Sequence, residues 1–318
     1  PLGGQVVARV GPARSMAASS IMLIGYYLSL LLVARAGAFF WIAPIFFSLQ
    51  KTLYWPAYHT DFILNSDPDE RGKEFSGLWS LSTMVYIIGP ALGGLIIQQS
   101  GFNVLFILVM ALIVLSNLPL FIAPTTYHGT LMSYGRMLIQ PFTRFHLRST
   151  LAYLSLGEEL IMLVVWPVFI ALTFTTYERM GGALAAAAFL TALVTLYIGR
   201  LIDRNQPVRT LRWGALVTVA VWLIRPFLNT VGAVFTSDTI GRIAKNTTYV
   251  SLTTASYSKA LREHKVIERS VLYEQGFALG KTLIAAAVIV LAAFVPPFTA
   301  AFTAAAAVSL LYFLFLVR

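Results

Sequence analysis

Asp238, Arg242 and Lys245 recur at i, i+4 and i+7, the spacing that puts three side chains on one face of a helix. Glu158 and Glu159 are neighbouring carboxylates, and Lys51, Glu274 and Lys281 are further ions set in apolar sequence. Such groups can pair, take up and release a proton, or hold a charged solute. Adjacent carboxylates leave a helix in different directions, so one of Glu158 and Glu159 is expected to face a confined cavity. There desolvation makes a carboxyl suited to proton coupling. In the competing reading, Asp238–Arg242 and Glu274–Lys281 are buried pairs that only hold helices together.

Other chemistries lack their motifs. No HExxH, CxxC, GxxxxGK[ST] or GxSxG arrangement occurs, so the usual zinc, redox, phosphate-loop and nucleophile-elbow sites are not expected. Cysteine is absent, and His59, His128, His146 and His264 are scattered. The reading therefore contains no catalytic residue, no cofactor and no metal.

The elements that position the ions follow from composition. Of 318 residues, 58% are hydrophobic and 11% charged, against about 25% charged in an ordinary soluble domain. Crossing a roughly 30 Å hydrocarbon core takes about 20 apolar residues in a helix. Ten windows qualify: about 16–34, 37–62, 75–98, 102–123, 151–176, 182–199, 210–229, 231–256, 270–293 and 298–317. They do not alternate in polarity, which excludes barrel strands. An all-α membrane protein is expected.

The net charge of +10 is unevenly distributed. Sixteen Lys and Arg fall in alternate gaps between spans, including Arg9, Arg14, Arg71, Arg200, Arg209 and Arg269, whereas the opposite gaps hold Arg35 and Arg179. The positive-inside rule makes the first set cytoplasmic and the excess topological, so a nucleic-acid partner is not expected. Arg225, beside Pro226 near the outer end of its span, reads as a snorkelling side chain without a role.

Shifting the chain by 195 residues lays spans 16–34, 37–62, 75–98 and 102–123 onto the spans at 210–229, 231–256, 270–293 and 298–317. The same shift aligns Gly4 with Gly199, Arg9 with Arg204 and Pro12 with Pro207. Residues 1–123 thus repeat as 196–318 in the same orientation, an internal duplication. The expected organisation is an N-terminal bundle (1–123), a cytoplasmic linker (124–150) and a C-terminal six-helix bundle (151–318). Spans 151–176 and 182–199 precede the second copy and have no counterpart before the first. The expectation is a six-plus-six helix protein whose opening helices lie ahead of Pro1.

Two six-helix repeats with a Gly-x-x-x-Asp-Arg-like loop resemble the major facilitator superfamily. Its loop signature is matched by Gly199, Leu201, Asp203 and Arg204, and in the first copy by Gly4, Arg9 and Gly11, with Ala8 where the acid belongs. Gly89, Pro90, Gly93 and Gly94 resemble part of a motif on the fifth helix of antiporters in that family. The resemblance implies two six-helix bundles related by a pseudo-two-fold, and a cavity lined by the first, fourth, seventh and tenth helices. Those helices carry Lys51 and Tyr54, then Glu158, Glu159 and Trp166, then Asp238, Arg242 and Lys245, while Lys281 lies on the eleventh. It also implies cytoplasmic gate loops at Gly4, Arg9, Asp61, Gly199, Asp203 and Arg204, with Arg9–Asp61 as the expected gating pair. Gly89–Gly93 and Gly276–Gly280 have GxxxG spacing, which lets a neighbouring helix approach closely, and Pro90 invites a bend.

The function expected is secondary active transport by alternating access: a monomeric, multi-pass protein of the plasma membrane, with its linker and C-terminus cytoplasmic, moving a small solute with H+. A non-transporting sensor on the same scaffold is one alternative. A lipid-processing membrane enzyme using Glu158, Glu159 or Asp238 as acid and base is another.

Overall fold

The structure is a computed structural model that describes residues 1–122, 133–173, 188–200 and 207–316. Its elements are α1 (Leu2–Val10), α2 (Pro12–Leu32), α3 (Phe39–Asn65), α4 (Arg71–Ser116), α5 (Leu118–Ile122) and α6 (Tyr134–Ile139). There follow α7 (Leu147–Leu172), α8 (Ala188–Arg200), α9 (Pro207–Ile224), α10 (Val231–Arg262), α11 (Val266–Leu291) and α12 (Pro297–Ser309). No strand occurs among the described residues. By length and composition α2, Leu92–Leu120, α7, α11 and Pro297–Leu314 can each cross a membrane.

Local sequence explains where these helices begin and break. Gly11 has φ 84° and Gly101 φ 79°, values open to glycine without strain. Gly101 interrupts α4 where the spans 75–98 and 102–123 were expected to part. Pro12 and Pro297 open α2 and α12 at the first turn, where proline's missing N–H costs no helical bond. The loop expected around Gly4 and Arg9 is instead helical through Val10, and the chain turns at Gly11. α7 is irregular: Ser155–Glu158 winds as a 3-10 turn and Ile161–Val165 as a π turn before regular helix resumes at Trp166. Such departures from i→i+4 bonding re-aim the side chains around them.

Two compact units form, each from separated stretches of chain. The first comprises Pro1–Asn65, Ile88–Gln140 and Lys259–Leu272. Its apolar cluster joins Val7, Ala8, Met16 and Ala57 to Met137, Ile267 and Val271. The second comprises Ser66–Ile87, Pro141–Ser258 and Tyr273–Arg318. Its core stacks Trp166, Phe169, Trp222 and Phe302 around Ile284 and the alanine-rich face of α12. Leu92–Leu120 has a mean hydropathy of 2.3 with only 6% of its window buried, so lipid is the solvent that suits it.

The GxxxG pairs divide. A Cβ on Gly276 would lie 2.5 Å from Tyr153 Cβ, and one on Gly280 would overlap the Leu154 carbonyl, so α11 packs directly on the backbone of α7. Gly157 meets Gly280 from the other side. By contrast, a Cβ on Gly89 or Gly94 would meet nothing within 4 Å, and one on Gly93 only Leu105 Cδ1 at 4.0 Å. Among the described residues no helix makes the close approach expected at Gly89–Gly93, and the side chain of Pro90 lies outside those described. Gly280→Ala should therefore destabilise the second unit by about 1–3 kcal/mol through overpacking, whereas Gly89→Ala should leave it unchanged. Thermal unfolding of the purified variants compares them.

Candidate functional site

The expected ions of α7 and α10 meet inside the second unit. Glu158, in the 3-10 turn of α7, is 1% exposed. Its Oε1 accepts from Lys245 Nζ at 3.1 Å and Tyr312 Oη at 3.2 Å. Its Oε2 accepts from Ser309 Oγ at 3.1 Å and from Trp222 Nε1. Each oxygen thus has two donors, the condition under which a buried carboxylate can stay charged. Lys245 is itself only 13% exposed.

Asp238 is fully buried one helical turn before Arg242. Its Oδ2 accepts from Arg242 Nε at 2.7 Å and its Oδ1 from Trp166 Nε1 at 2.8 Å. The i, i+4 spacing on α10 produces this pair, and the indole comes from α7. Glu159 turns away from Glu158 and meets Lys281 Nζ at 3.3 Å on α11. Lys281 thus pairs with Glu159, where the competing reading pairs it with Glu274. Its ammonium also sits 3.9 Å from the Phe277 ring centroid.

The role withheld from Arg225 is corrected. The residue is 1% exposed, held between the faces of Trp166 and Trp222 at 3.8 and 4.1 Å. Its Nη1 points to Met162 Sδ at 3.5 Å, while among the described residues Nε and Nη2 meet no hydrogen-bond partner. A snorkelling arginine would reach water, and this one is enclosed. The sequence signal was Trp222 three residues before Arg225 in a helix, which sets ring and guanidinium on one face. Ser309 and Tyr312, on the turns of α12 and beyond, were missed because a hydroxyl in an apolar helix carries no signal of its own.

In the first unit, Lys51 is exposed on α3, with its ammonium 5.0 and 5.4 Å from the Phe47 and Trp55 rings. Tyr54 stacks on Tyr58 at 5.9 Å. The expected Arg9–Asp61 pair is absent: Arg9 is exposed, and Asp61 accepts instead from Asn65 Nδ2 at 3.1 Å. Asn65 lies one turn further along the same helix, where reaching the carboxylate costs little.

The signature glycines do mark close helix contacts. A Cβ on Gly4 would lie 2.5 Å from Val271 Cγ2. One on Gly199, at the end of α8, would overlap Ser76 Oγ and crowd the Gly72 carbonyl. The 195-residue offset carries Gly4 to Gly199 and Ser76 to Val271, so the two contacts are the same contact made by the two copies. Asp203 and Arg204 lie outside the described residues. Further links between the repeats run from Trp79 Nε1 to Asn246 Oδ1 at 3.1 Å and from Arg71 Nη1 to Ser258 Oγ at 3.2 Å.

Comparison with known proteins gives a structural answer only. No family model matches the sequence, and no curated protein matches it either. Among solved structures, a point variant of the E. coli fucose:proton symporter FucP superposes with a TM-score of 0.72 at 13% identity, over 100% of this chain and 87% of that one. FucP in an outward conformation gives 0.73 at 12% identity, over 99% and 84% of the two chains. The human organic anion transporter MFSD10 gives 0.73 at 15% identity, over 99% and 79%. The chain has the major facilitator fold. It is a multi-pass membrane protein of that architecture, and its charged cluster lies within the second unit.

Lys245 and Glu158 should be energetically coupled. Lys245→Met leaves a buried carboxylate without its cation and should cost about 3–5 kcal/mol. Adding Glu158→Gln should recover part of that loss, as a double-mutant cycle on thermal unfolding would register.

Proposed function

We propose that this chain is a secondary active transporter that moves a small solute by alternating access and couples the movement to protons through Glu158. The single observation behind this reading is the Glu158 centre: a carboxylate removed from water, ion-paired to Lys245, on a helix whose winding is irregular at that point. Protonating Glu158 frees Lys245 and removes the charge that Trp222, Ser309 and Tyr312 are arranged to hold. One proton therefore changes the bonding between α7, α9, α10 and the end of the chain. That is the bistable element a coupled transporter needs.

The glycine contacts support the alternating part of the reading. Gly4 against Val271 and Gly199 against Ser76 bring helices of the two sequence copies close through a residue without a side chain, and such contacts can part and re-form. They serve as contacts of the cytoplasmic gate. Within the second unit, Arg242 and Lys281 supply charged groups toward the solute path. The protein sits as a monomer in the plasma membrane, with the 124–150 linker and C-terminus cytoplasmic.

Reconstitution into liposomes tests the coupling. The panel is set by the cargo named for the structural neighbours, sugars and organic anions. Uptake should follow an imposed proton gradient and fall to background when a protonophore collapses it. Glu158→Gln should lose gradient-driven accumulation yet keep solute exchange, which needs no net proton movement. Accumulation that ignores the gradient, or survives Glu158→Gln at the native level, contradicts the reading.

A further inference from the structure

Three side chains in a row join Glu158 to Asp238. Glu158 accepts the indole N–H of Trp222, Asp238 accepts that of Trp166, and Arg225 lies between the two ring faces at 4.1 and 3.8 Å. Buried arginines frequently spend both arms of the fork on one carboxylate. Arg225 does not: Nη1 points to the Met162 sulfur, and among the described residues Nε and Nη2 meet no acceptor. Its charge is engaged all the same, since Asp238 and Glu158 both attract it while Arg242 repels it. It is drawn to two carboxylates and bonded to neither. A cation so placed is shared, and neutralising one carboxylate shifts its pull onto the other.

The balance of charge determines where that shift is felt. Glu158 is faced by Lys245 from α10, by Trp222 and Arg225 from α9 and its continuation, and by Ser309 and Tyr312 from α12 and beyond. Its neighbour Glu159 faces Lys281 instead. Asp238 is faced by Arg242, Trp166 and Arg225. Two carboxylates thus serve three cations. A proton on a Glu158 oxygen, with no other covalent bond made or broken, leaves Asp238 as the carboxylate for Arg225, Arg242 and Lys245 together. Arg225 and Lys245 are enclosed, whereas the Arg242 side chain is 36% exposed. An enclosed cation is costly to leave unpaired, so the one given up is Arg242, which water can reach.

We propose that Arg225 is a positioning residue that carries the charge state of Glu158 to Asp238, and so loosens Arg242 when Glu158 is protonated. The two indoles fix the guanidinium between the carboxylates, and its freedom from a bond to either lets it answer both. This inference rests on the reading of Glu158 as the proton site and adds a route from that buried carboxyl to a cation a solute can touch. Every member of the route lies within the second unit.

Arginine modification by phenylglyoxal reads the release without a solute or a proton gradient. The full chain is purified in detergent at fixed pH, and labelling of Arg242 is timed by peptide mass spectrometry against the exposed Arg35 of the same molecules. Glu158→Gln stands in for the protonated carboxyl and should speed Arg242 labelling about threefold, the loosening of one partly exposed ion pair. In an Arg225→Met background the same exchange should leave the rate unchanged, and Arg225→Lys, which keeps the charge, should restore the rise. An unchanged Arg242 rate in Glu158→Gln overturns the proposal, as does an equal rise with and without Arg225. If Arg225→Met does not fold, Arg225→Gln takes its place, and a rise there as large as in the native chain overturns it. Transport that lacks proton coupling contradicts the reading of Glu158 and leaves the labelling result standing, so the two can fail separately.

Discussion

Charge removed from water must find a partner, and the second unit is built around that requirement. Glu158 and Asp238 have essentially no exposure, and all four of their carboxylate oxygens are occupied by donors. Two tryptophans do much of this work. Trp222 gives its indole N–H to Glu158 and Trp166 gives its own to Asp238, while their ring faces enclose Arg225. One aromatic pair thus positions two anions and a cation. Each indole is apolar enough for the core and polar enough at its edge to replace a water.

Around this polar centre the helices approach through small residues. Gly157, Gly276 and Gly280 let α7 and α11 meet backbone to backbone, bringing Glu159 within reach of Lys281. Inside a membrane the lipid is as apolar as the helix surface, so close van der Waals packing and hydrogen bonds carry association. The 3-10 and π turns of α7 belong to the same design. They interrupt the regular winding at Glu158, which places it toward α9 and α10 while its neighbour Glu159 faces α11.

Much of the architecture was legible in one dimension. The ten apolar windows correspond to helices wherever residues are described, with the break between two of them at Gly101. The 195-residue offset reappears as a repeated physical contact, Gly4 with Val271 and Gly199 with Ser76. Short-range pairing was legible too, since Asp238 and Arg242 share a face and do bond. Longer inferences failed where two candidates competed. Asp61 took Asn65 over Arg9, and among the described residues the GxxxG spacing produced a tight contact at Gly276–Gly280 but not at Gly89–Gly93. Spacing says that a helix can approach; only the presence of a partner helix brings it there.

The sequence by itself determined the solvent, the helices and their duplication, because hydropathy, periodicity and self-similarity are properties of a line of residues. It also identified most of the ions that matter, since a charge in an apolar window is conspicuous wherever the window ends up. Tertiary structure decided the partners. Glu158 draws its donors from residues 64, 87, 151 and 154 positions away, and no local pattern encodes those distances. It also decided that Arg225 lies enclosed between two indoles, because reaching water or being sealed from it depends on what other helices place in the way.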